Sequence, residues 1–213
     1  MITTYKTITS PTQAEFKDKG SRFIAFAYPI RTLADVKKYL DPLKEEHHKA
    51  RHWCYAYRLG VDGMQFRAND DGEPSGSAGR PILGQIDSVG VTDVLIVVVR
   101  YFGGIKLGAG GLVRAYTDSV VQTLDGALFD SRERLRVGQV PSSHADAGRL
   151  ENEIRAAGLN VLGTEYGAEG ATISLGVFDR PEELERAEEL VVSLSSGAAS
   201  VTWGDTQWVD LPV

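Results

Sequence analysis

The sequence predicts an α+β chain of two domains, residues 1–135 and 136–213. Three observations carry this. Strand-like and helix-like stretches alternate along the chain, with apolar residues recurring at period two and period 3.6 in turn. A separate strand and helix rhythm begins at Val137. The charge breaks at the same place: residues 1–135 hold 18 Lys+Arg against 16 Asp+Glu, and residues 136–213 hold 5 against 13. The net charge of −6 is therefore +2 followed by −8. A length of 213 residues suits one large or two small domains, and either can enclose a core.

In the first domain, Ser21–Ile30 is rich in aromatic and β-branched residues and reads as a strand. Thr32 is placed to cap a helix whose inner face is Leu33, Val36, Leu40 and Leu43. His52–Leu59 alternates, with Trp53, Tyr55, Tyr57 and Leu59 on one face and Cys54 and Ala56 on the other. A turn at 61–64 leads to a short strand near Phe66. Residues 69–81 form a polar, glycine-rich loop, followed by a helical stripe of Ile82, Leu83, Ile86 and Val89. Val94–Val99 is continuously apolar and of strand length, which predicts a central strand covered on both faces. A second glycine-rich loop, 103–111, opens a helix with Leu112, Tyr116, Val120 and Leu124 inward. The domain closes near Arg132–Arg136.

The second domain reads as a strand at Val137–Val140, a helix faced by Ala147, Leu150, Ile154 and Ala157 and stopped by Gly158, and strands at Leu159–Tyr166 and Ala171–Phe178. A helix with Pro181 in its first turn and a last strand at Val201–Trp203 follow. The order βαββαβ is the ferredoxin-like split βαβ unit.

Composition excludes several classes. Hydrophobic residues make up 42% and charged residues 24%, as in ordinary globular proteins. The longest apolar run, Val94–Val99, is too short to cross a bilayer, and the first residues lack a signal-peptide pattern. A single cysteine, Cys54, forms neither an internal disulfide nor a cysteine metal cage. The expected compartment is the cytoplasm, with no membrane partner and no cofactor.

Three segments carry a resemblance. They are DDGEPSGSAGRP at Asp70–Pro81, VRYFGGIKLGAGGLVRAY at Val99–Tyr116, and ARHWCYAY at Ala50–Tyr57. With their spacing they cover most of residues 17–126 and resemble the signature segments of the YigZ/IMPACT family. The acidic remainder is similar to the small domain of bacterial members. The resemblance implies a first domain with the fold of the second domain of ribosomal protein S five and a ferredoxin-like second domain. It also implies a role in translation, through the ribosome, RNA or a protein of the translation machinery. Eukaryotic IMPACT proteins act on translation initiation with the help of an extra N-terminal domain that has no counterpart in these 213 residues. No catalytic set comes with the family.

Read for chemistry, Gly103, Gly104, Gly108, Gly110 and Gly111 lie between a strand and a helix. Glycine lets a ligand approach the backbone, and a helix N-terminus offers free N–H groups to a phosphate. A tight strand-to-helix turn explains the same glycines equally well. Arg80, Arg100, Lys106 and Arg114 could supply charge to an anion or RNA. The loop has no Walker ending. Asp70, Asp71 and Glu73 could hold Mg²⁺ or serve as acid and base, but bracing turns is the favoured role, with Ser75 or Ser77 as helix cap. His52 with Cys54 reads as core rather than as a nucleophile pair, and the histidines show no metal spacing. Tyr101 and Phe102 are the aromatics placed for exposure beside the second loop. Three functions follow: a translation-associated ribosome or RNA binder, an enzyme acting on a phosphorylated small molecule, and a protein-interaction module. The first is preferred, and no catalytic residue is assigned.

Overall fold

The computed structural model describes residues 2–212. The chain forms two compact units, one reaching to Ser131 and the other running from Arg132 to Leu211.

The first unit begins with β1 (Thr4–Ile8) and then builds an antiparallel five-stranded sheet. Its strands are β2 (Thr12–Asp18), β3 (Ser21–Pro29), β4 (His52–Leu59), β5 (Gln65–Asn69) and β6 (Val94–Tyr101), in the order β2-β3-β6-β4-β5. β6 is central, and every side chain from Val94 to Val99 is fully buried. A strand covered on both faces needs an apolar residue at each position, which is why this run does not alternate. On one face α1 (Leu33–Glu46) packs Val36, Leu40 and Leu43 against Leu95, Val97 and Val99. On the other face α2 (Gly79–Val89) and α3 (Gly108–Asp125) bring Ile82, Ile86, Tyr116 and Val120 onto Ile96 and Val98. β4 divides its residues between these cores, Cys54 and Ala56 to α2 and α3, Tyr57 and Leu59 to α1. The α1 start is fixed as a capping box, with the Asp35 carboxylate accepting the Thr32 backbone N–H at 2.8 Å.

The second unit runs β7 (Phe129–Ser142), α4 (Ala147–Ala156), β8 (Asn160–Tyr166), β9 (Ala171–Phe178), α5 (Pro181–Leu194) and β10 (Thr202–Pro212). Strand order β10-β7-β9-β8 with two helices is the split βαβ layout. Its core joins Val140, Ile173 and Leu175 to Leu150, Ile154 and Val191. β7 and β10 extend well beyond the stretches that their apolar residues mark in the sequence. β7 begins three residues before the boundary between Ser131 and Arg132. Within the first unit, Thr4 Oγ1 meets Ser131 Oγ at 3.0 Å. No described helix is long and apolar enough to cross a membrane.

Candidate loop surface of the first unit

Strand register gathers the sequence motifs at one end of the sheet. His52 lies opposite Arg100, Tyr55 opposite Asn69 and Arg22 opposite Tyr101. The exit of β6, the entry of β4 and the exit of β5 therefore share an edge. Both glycine-rich loops start there, and each leads directly into a helix on the same face, α2 after the first loop and α3 after the second.

The first loop is held by its three acids. Asp70 accepts backbone N–H groups from Gly76 (2.8 Å), Ala78 (3.1 Å) and Gly79 (2.8 Å), closing the loop and capping α2. Burial alone would raise its carboxyl, but these three donors and the charge of Arg80 outweigh it and hold the group below the usual carboxylate range. The expected serine cap is thus replaced by a carboxylate from further back in the chain; Ser77 Oγ donates instead to the Pro74 carbonyl. Asp71 sits at a positive φ of 42°, takes the Trp53 N–H on its carboxylate at 2.8 Å, and meets His52 Nδ1 with its carbonyl at 2.8 Å.

Glu73 turns inward and is buried. It accepts from Arg100 at 2.5 Å and from the Tyr116 hydroxyl at 2.9 Å, with His52 Nε2 at 3.8 Å. Cys54 Sγ donates to the Asp70 carbonyl at 3.0 Å and lies 3.2 Å from the Tyr116 hydroxyl. Burial pushes both the Cys54 thiol and the Tyr116 phenol up, so neither ionises readily. All three acids are engaged by the protein itself, and they brace loops rather than form an open acid–base pair. Arg100 departs from the expectation that it faces an anion: it is 5% exposed and its charge is already matched by Glu73.

The second loop presents a different surface. Gly103 is clamped at its base, where its N–H donates to Ser21 Oγ at 3.2 Å and a Cβ would sit 1.9 Å from the Gly20 carbonyl carbon. Beyond it Gly104 and Gly108 take positive φ of 89° and 74°, which only glycine adopts readily, and both face open space. Gly110 also faces open space, and a Cβ added at Gly111 would lie 3.1 Å from Leu107 Cβ. No side chain caps the start of α3. Arg80, Lys106 and Arg114 are exposed and form no ion pair among the described residues. Phe102 and Ile105 are also exposed, whereas Tyr101 is half-buried with its hydroxyl 2.8 Å from His47 Nδ1. Arg80, Lys106 and Arg114 thus stay exposed, whereas Arg100 and Glu73 are buried and Tyr101 is half-buried.

These features define a two-unit α+β protein whose first unit carries paired glycine-rich loops on an antiparallel sheet. Residues 19–124 match the model of the Impact N-terminal domain, and residues 143–198 match a domain of unknown function, DUF1949. Along its whole length the chain is 31% identical to the IMPACT family member YvyE of Bacillus subtilis, covering 97% of that protein. The chain belongs to the IMPACT family. Against the IMPACT family member YigZ of Escherichia coli the identity is 44% over 108 residues, about half of each chain. A crystal structure of a hypothetical protein aligns over 94% of this chain and 97% of its own, with 27% identity and a TM-score of 0.63.

Proposed function

We propose that this protein is a cytoplasmic, translation-associated regulator that binds RNA, free or in the ribosome, through the loop surface of its first unit. Membership of the IMPACT family supports the link to translation. The observation that carries the RNA reading is the set of exposed cations at the loops, Arg80, Lys106 and Arg114, none of them in an ion pair. By contrast, the second unit spends Arg136, Arg149, Arg155 and Arg186 on its own carboxylates. Phosphates bind to cations that are free to receive them, and the +2 against −8 division of charge directs a polyanion to the first unit.

The test is a titration of a labelled single-stranded RNA into the full chain at low and moderate salt. Binding should weaken as salt rises, because association releases counterions. Lys106→Ala and Arg114→Ala should each weaken binding and flatten the salt slope, whereas Arg155→Ala, on α4, should change neither. Absence of binding at low salt would remove RNA as the ligand. Loss of inorganic phosphate binding in the same two variants, with no RNA binding, would favour a phosphorylated small molecule instead.

A further inference from the structure

The loop surface combines exposed cations with an exposed aromatic ring. Phe102 is 48% exposed, the first residue beyond β6 and the last before the glycine loop. It is anchored from both directions. Two residues earlier, Arg100 is buried, and its guanidinium carbon lies 5.7 Å from the centroid of the Phe102 ring. That guanidinium is itself fixed by Glu73, so it cannot follow the ring outward. One residue later, the Gly103 backbone is pressed against Gly20 and bonded to Ser21. A cation within this range of an aromatic ring attracts it, and almost half of the ring's surface stays in water. Ile105, 56% exposed on the same loop, adds apolar surface, and Lys106 follows directly.

A large exposed apolar ring costs free energy unless something covers it, and three possible covers differ in charge. An apolar protein face would leave Lys106 and Arg114 without counter-charges and Arg80 with only the nearby Asp70. Duplex RNA would satisfy the cations but not the ring, because its bases are already stacked and its accessible groove displays hydroxyls and phosphates. A single strand satisfies both, since an unstacked base has a free face and brings a phosphate with every nucleotide. The exposed Phe102 ring and the unpaired cations thus call for the same ligand.

Resting on the RNA reading above, we infer that the site takes single-stranded RNA in preference to duplex, with one base stacked on Phe102. Stacking adds affinity without reading the base, because every base has a π-face. The cations set the salt dependence and the ring does not.

The experiment compares the full chain, at one low salt concentration, with a labelled single strand and with the duplex of the same sequence. The single strand should bind tighter by roughly ten-fold or more, the order expected for one base–aromatic stack. Phe102→Ala should lose about that factor for the single strand and little for the duplex, with an unchanged salt slope. Phe102→Trp should restore binding. A 2-aminopurine base in the strand should be quenched on binding to the wild type and less so with Phe102→Ala. Thermal unfolding of each variant separates lost stacking from lost fold. Equal binding of strand and duplex, or an unaltered affinity in a folded Phe102→Ala variant, would overturn the stacking inference while leaving RNA binding in place. No binding of either RNA would overturn both.

Discussion

Glu73 and Arg100 come from different motifs of the sequence and meet inside the first unit, with 2.5 Å between Oε1 and Nη1 and side-chain exposures of 3% and 7%. The same Glu73 oxygen receives the Tyr116 hydroxyl. One carboxylate thereby ties the first loop to the end of β6 and to α3. Removing one member of a buried pair leaves the other charge desolvated and unmatched. Glu73→Ala should cost about 3–5 kcal/mol, whereas an apolar double replacement, Glu73→Leu with Arg100→Met, should cost less than the single change. Denaturant unfolding of the three proteins checks this. A double variant less stable than Glu73→Ala would contradict it.

Asp70 makes a pH-dependent contribution with a definite sign. Three backbone N–H groups hold its carboxyl below the ordinary range against the opposing effect of burial. A carboxyl depressed by folding stabilises the native state fully above its unfolded pKa, near 3.9. That stabilisation is lost as pH falls through the lower folded value. Asp70→Ala should therefore cost on the order of 2 kcal/mol at neutral pH, from the lost cap and the stranded donors. The gap between wild type and variant should persist down to about pH 4 and narrow only in more acid solution. Unfolding free energies measured across that range test the sign; a gap that narrows between pH 7 and 5 would count against it.

The glycines of the second loop should separate sharply under substitution. At Gly103 an added Cβ would lie 1.9 Å from the Gly20 carbonyl carbon, a collision between two backbones. At Gly110, in the first turn of α3, a Cβ meets nothing within 4 Å and φ is not positive. Gly103→Ala should lower the unfolding midpoint and displace Phe102. Gly110→Ala should be neutral or stabilising by about 0.5–1 kcal/mol, because alanine loses less backbone entropy in a helix. If close backbone approach matters for RNA, Gly110→Ala should also weaken binding in a protein that is no less stable. Thermal scans and RNA titrations of both variants together check the pair.

The sequence pattern reveals elements whose side chains are sorted by a single local rule. Val94–Val99 is apolar at every position because both faces are covered, and His52–Leu59 alternates because each face meets a different core. β2 escapes notice because it is an edge strand with partly exposed, mixed residues, and β7 and β10 because their outer lengths are polar. At the site, the loops and their helices are visible in sequence, but the partners within them are not. A glutamate in a polar loop looks solvated, and nothing near Glu73 announces that Arg100 and Tyr116 enclose it. Asp70 as the α2 cap is hidden for the same reason, since it reaches N–H groups up to nine residues ahead through a folded loop. Phe102 stands out correctly because it falls between an apolar strand and a glycine loop, whereas its neighbour Tyr101 is turned to His47 by strand alternation.

The acidic second unit should oppose RNA binding through its field. Glu182, Glu185 and Glu189 on α5 are exposed and form no ion pair among the described residues. Replacing the three with glutamine takes the net charge of residues 136–213 from −8 to −5 without touching a buried position. Charges act over roughly 30 Å at 0.01 M salt and about 8 Å at 0.15 M. Binding of a single-stranded RNA should therefore tighten several-fold at low salt in the triple variant, and the gain should fade toward physiological salt. Its unfolding midpoint should fall only slightly, since Glu182 in the first turn of α5 adds about 0.3–1 kcal/mol and the other two add little. If the second unit were the RNA-binding surface, removing its negative charge would produce the same direction of change, so a paired control is needed. Combining the triple variant with Lys106→Ala separates the two. With the RNA on the first unit, Lys106→Ala lowers affinity by the same factor in both backgrounds. With the RNA on the second unit, Lys106→Ala has only a small effect in either that vanishes by about 0.15 M salt, and the loop surface would not be the site.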